Sequence, residues 1–111
     1  MNQEDFAQSI RDAGAEVSDA EKGLAIAEAG EKKLMAQLML TAQVREGCKT
    51  AAAQSSWADR QDEMEAARIE RGVAKGKLAA SKANLLAAEV AFKTWQTEMA
   101  TNRAERRVYG A

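Results

Sequence analysis

Arg68, Lys75 and Lys82 recur every seven residues. On a helix that spacing gives one basic line, the arrangement a protein can use to follow a phosphate backbone. The competing reading is a solvated flank whose cations pair with carboxylates on a neighbouring helix, and the position of the line beside an apolar seam favours it. Two further charges, Glu31 and Arg71, fall on seam positions that are otherwise apolar or small. A charge buried alone is costly, so each is expected to need the other, as a pair that specifies register or as side chains that reach out to water.

Catalysis has little to draw on. The chain has no histidine, so a general base would have to be a carboxylate, a lysine or a cysteine. The acidic residues are scattered at helix-surface spacing, with no Glu-x-x-His pair to hold a metal. Cys48 is the only cysteine, so no internal disulfide can form. A lone loop cysteine is more often an inert small residue than a nucleophile. Gly14, Gly23, Gly30, Gly72 and Gly76 lie within periodic runs and form no phosphate-binding loop; close helix contact is their expected role. No catalytic residue, metal ligand or cofactor is therefore expected, and the chain reads as a non-enzyme.

Composition sets the class of fold. In 111 residues there is no proline and only 5% aromatic side chains, so helix breakers and the usual strand formers are scarce. One helical domain is expected over 1–111. Sixteen basic residues nearly balance seventeen acidic ones, for a formal charge of -1, which removes any global attraction to nucleic acid and leaves only local patches. No charged-then-apolar leader and no apolar run of membrane length is visible, so a cytoplasmic protein without membrane contact is the expectation, in the host cytoplasm if it is phage-encoded.

Small and apolar residues recur at Phe6, Ile10, Ala13, Val17, Ala20, Leu24, Ala27, Leu34, Leu38 and Thr41, with Glu31 completing the series. The spacing alternates four and three, which is a heptad seam. A second run passes through Trp57, Met64, Ala67, Arg71, Ala74, Leu78, Ser81, Leu85, Ala88, Phe92, Trp95 and Met99. The pattern predicts helices over about 3–46 and 56–107 joined by a connection over 47–55, with Gly47 as a C-terminal cap and Ser56 as an N-cap. The fold class is all-α, a long antiparallel two-helix coiled-coil hairpin. Large residues of one helix facing small residues of the other would set Ala27 opposite Leu78, Ala13 opposite Phe92, Val17 opposite Ala88 and Leu38 opposite Ala67.

A narrow seam is little core for helices of this length. A further stripe of apolar and small residues, at Ile69, Val73, Gly76, Ala80, Ala83, Ala87 and Val90, marks a candidate oligomer or partner face on the second helix. Association of hairpins into a bundle, as a dimer or higher homo-oligomer, is the expected use of that face, with docking of a different protein as the alternative. Trp57 and Tyr109, near the ends of the second helix, are the candidate contacts with a protein partner. Arg68, Lys75 and Lys82 are the candidate contacts should the partner be nucleic acid.

A helix-turn-helix of this size with tryptophan near the turn resembles the small secreted proteins named for a Trp-x-Gly turn. The turn here reads Trp57-Ala58-Asp59, however, and that family's motifs are missing. The segment "AFKTWQTEMATNRAERR" in an alanine-rich hairpin is similar to small proteins of the early and recombination modules of tailed bacteriophages and prophages. The resemblance covers mainly the second helix. It implies a small cytoplasmic accessory protein acting through protein contacts, such as a phage accessory factor or an inhibitor of a host machine. The alternatives are a nucleic-acid-binding accessory protein in recombination or regulation, and a virion scaffold or assembly component.

Overall fold

The computed structural model describes residues 1–108; Tyr109, named above as a candidate contact, lies outside them. The described chain is all-α, with helices α1 (Gln3–Arg45), α2 (Ala51–Asp59) and α3 (Asp62–Val108) and no strand among these residues. Its contacts define two compact units, one made of Met1–Ser18 with the described residues from Ala79 onward, the other Asp19–Leu78. In each unit a stretch of α1 packs against a stretch of α3.

Local chemistry sets the helix ends. Asn2 and Asp5 cap α1 reciprocally: the Asp5 N–H donates to Asn2 Oδ1 at 3.0 Å and the Asn2 N–H donates to Asp5 Oδ2 at 2.9 Å. Two donors of the first turn are thereby satisfied, and the carboxylate sits at the positive end of the dipole. At the other end Gly47 takes φ 69°, the left-handed region that favours glycine. This turn brings the Cys48 N–H to the Ala42 carbonyl at 3.0 Å, which occupies one of the carbonyls that the helix end would leave free.

The connection is shorter than the sequence pattern predicts, and it is followed by a separate helix. Thr50, not Ser56, is the N-cap, its hydroxyl accepting from the Ala53 N–H at 3.1 Å. Ser56 therefore lies inside α2. The chain then breaks at Arg60 and Gln61, where the Gln61 amide donates to the Trp57 carbonyl at 2.8 Å while its own carbonyl accepts from Met64 and Glu65. One side chain thus stops α2 and its backbone starts α3, whose first turn carries Asp62, Glu63 and Glu65.

The seam follows the heptads. Each α1 position of the series from Phe6 to Thr41 is buried or partly buried, and so is each α3 position from Met64 to Met99 except Arg71. In the unit holding both chain ends, Phe6 is 8% exposed and its ring lies 5.4 Å from Trp95 and 5.8 Å from Phe92, centroid to centroid. In the other unit Leu38, Ala58 and Met64 form a core covered by Leu34, Met35, Met39 and Trp57. Burying a side chain such as Met64 is worth about 1.5–3 kcal/mol.

The register differs from the one that size matching predicts. Phe92 meets Phe6 rather than Ala13, and Leu38 shares its core with Met64 rather than standing opposite Ala67. Within each unit the contacts are displaced by about half a heptad, so that equivalent seam positions stand level with one another. The displacement brings Glu31 level with Arg71 and groups the three aromatic rings of the other unit, gains that alternating large and small residues alone do not express.

Candidate functional site

A polar network in the Asp19–Leu78 unit is built around Glu31. Its side chain is 13% exposed and receives Arg71, with Nη1 2.7 Å from Oε2, while Arg68 Nε stands 3.8 Å from Oε1. Arg68 also pairs with Asp59 at the end of α2. The guanidinium of Arg68 therefore ties α1, α2 and α3 together, a fork geometry that a lysine ammonium would not match. A groove of about 580 Å³ opens beside this network, with Met35 and Met64 among its apolar walls and Lys32, Arg68, Arg71 and Lys75 among its cations. Its walls come from α1 and α3 alone.

The basic line divides chemically. Arg68 is engaged by two carboxylates, whereas Lys75 and Lys82 are exposed and have no ion-pair partner among the described residues. Arg68 is thus partly committed to carboxylates of its own chain, although its side chain stays 42% exposed; the lysines keep their ammonium groups in water.

Trp57 lies on α2 and is partly buried against the Leu38, Ala58 and Met64 core. Its indole contributes to that core, which limits the area it offers to a partner. The candidate face on α3 is open: Ile69 is 60%, Val73 55% and Val90 53% exposed, and Gly76, Ala80, Ala83 and Ala87 are exposed between them. Leu86, 61% exposed, adds to this face and was not singled out by the spacing. An apolar residue one position before Ala87 was the available signal. The Asp59 partner of Arg68 was hidden for a different reason, because it depends on a helix that the periodicity does not reveal.

No helix among the described residues is long and apolar enough to cross a membrane. Comparison with known proteins finds no match to a family model, to a curated protein or to a solved structure.

Proposed function

We propose that this chain is a non-enzymatic helical interaction protein that self-associates and acts by binding another protein, an accessory factor of the kind the phage-module resemblance implies, working in a reducing cytoplasm. The observation that carries the reading is the open apolar face of α3, where Ile69, Val73 and Val90 leave more than half of their surface in contact with water. Contiguous exposed apolar surface is costly in a dispersed protein and is the usual mark of an interaction site. Light scattering at micromolar concentration tests self-association, with a dimer or larger species expected and a monomer counting against it. Capture from the native host with mass spectrometry tests the protein partner, and substitution of exposed α3 residues is expected to abolish capture while circular dichroism stays helical.

A second reading draws on Lys75 and Lys82, whose free ammonium groups could contact phosphates. It ranks lower because Arg68, the first residue of that line, is already held by Asp59 and Glu31. Nucleic-acid affinity is expected to stay in the weak non-specific range, about 10⁻⁴ to 10⁻⁶ M at physiological salt. A nanomolar affinity that falls steeply with added salt would reverse the ranking.

A further inference from the structure

We infer that the groove beside Glu31 is a docking site for an acidic segment of the protein partner, one that carries an apolar side chain among its carboxylates. The inference rests on the protein-binding reading above and states the chemistry of that partner. The whole groove belongs to the Asp19–Leu78 unit, with α1 lining it from Glu28 to Met35 and α3 from Met64 to Lys75. Those stretches run about 10 Å and about 16 Å along their helices, at 1.5 Å per residue. The space between them is about 580 Å³, and an extended peptide advances about 3.3 Å per residue. A few residues of a partner therefore fit along it.

Charge selects the sign of the occupant. The groove brings Lys32, Arg68, Arg71 and Lys75 together with the carboxylates of Glu28 and Glu31, so cations are in excess here although the chain as a whole has a formal charge of -1. Arg71 pairs with Glu31, and Arg68 with Asp59. Both guanidinium side chains nevertheless stay open to water, 46% and 42% exposed, and a guanidinium has more N–H donors than these pairs use. Lys32 on α1 and Lys75 on α3 are exposed with no ion-pair partner among the described residues. Each wall thus offers an ammonium group to an incoming carboxylate.

The remaining walls select an apolar group beside that carboxylate. Met35 from α1 and Met64 from α3 line the same groove, and an unbranched thioether adapts to apolar side chains of varied shape. Gly72 lies between the cations of α3, and a Cβ built there would meet nothing within 4 Å. A glycine inside a helix weakens it relative to alanine; here it leaves the groove open where any other residue would narrow it. Nucleic acid matches these walls less well, because a phosphate backbone is best met by an unbroken row of cations. Glu28 and Glu31 interrupt that row, and the methionines add nothing to phosphate binding.

Fluorescence anisotropy of the full chain at low salt, with the labelled peptide Glu-Glu-Leu-Phe-Glu-Glu as probe, tests the site. Affinity is expected to fall about tenfold when the peptide's glutamates become glutamine, and about tenfold when Lys32→Gln and Lys75→Gln are combined, with circular dichroism unchanged. Gly72→Leu fills the groove without altering a charge and is expected to abolish binding with helicity retained. Glu28→Gln removes the carboxylate that has no ion-pair partner and is expected to strengthen binding. No binding of the peptide, equal affinity for its glutamine form, or an affinity unmoved by the lysine and Gly72 changes would overturn the inference. A labelled oligothymidine bound more tightly than the peptide, and lost in the same lysine variant, would assign the groove to phosphates and overturn it too. Capture from the native host separates this inference from the reading beneath it: a protein captured equally by the parent and by Gly72→Leu rejects the groove and leaves protein binding standing, whereas no capture by the parent removes both.

Discussion

Glu31 and Arg71 stand level across α1 and α3, carboxylate to guanidinium at 2.7 Å, in positions where the neighbouring heptads carry leucine and other apolar side chains. The pair is half immersed: the Glu31 side chain is 13% exposed and the Arg71 side chain 46%. Solvent screening limits what it contributes to stability, so Glu31→Gln is expected to cost at most about 1 kcal/mol in a urea titration. The double change Glu31→Leu with Arg71→Leu replaces the pair by apolar packing and is expected to equal or exceed the parent in stability. A double variant less stable than the parent would show that the ion pair outweighs the packing that replaces it.

Ala58 is fully buried beneath Trp57, Leu38 and Met64. Ala58→Leu overpacks this core and is expected to lower stability by about 1–3 kcal/mol. Ala52→Leu, on the exposed side of the same helix, is expected to change the melting temperature little. Equal melting temperatures in the two variants would disprove the packing of α2 on its neighbours.

Glycines separate into two kinds. A Cβ at Gly23 or Gly30 meets nothing within 4 Å, so alanine there is expected to stabilise by about 0.5–1 kcal/mol through helix propensity. Gly47 has φ 69° and also open space around it. Alanine at Gly47 must adopt the left-handed conformation and is expected to destabilise by roughly 1–2 kcal/mol. Thermal melts of the three variants decide the signs.

The ring cluster of Phe6, Phe92 and Trp95 gives a spectroscopic check. Phe6→Ala removes a side chain 8% exposed and is expected to cost about 3–5 kcal/mol where the site cannot collapse. Trp95 emission is expected to shift to the red as water reaches the indole. Comparison with a Trp57→Phe background isolates that signal from the second tryptophan.

Heptad spacing was enough to name the seam, because a helical period of 3.6 leaves the same face inward whatever stands opposite it. Leu24, Ala27, Leu78 and Leu85 all lie where the spacing puts them, partly buried. Register was less legible. Two alignments half a heptad apart bury the same faces, and alanine-rich layers distinguish them weakly; the choice turns on where Glu31 finds Arg71 and where Phe6 finds Trp95. The connection was misread because Thr50 and Ser56 are both good N-caps, and only the tertiary placement of Trp57 and Ala58 selects Thr50. The network at Glu31 was half visible, since Arg71 shares the heptads of the seam whereas Asp59 belongs to α2.

The break at Gln61 has a kinetic consequence. Residues around it collect in one small core with Leu38, so the contacts that close the turn join positions separated by short stretches of chain. The entropy of closing such a loop is modest, and low contact order favours fast folding. Closure of this turn is expected to nucleate folding of the Asp19–Leu78 unit, so Met64→Ala is expected to slow refolding, whereas Phe6→Ala, in the other unit, is expected chiefly to speed unfolding.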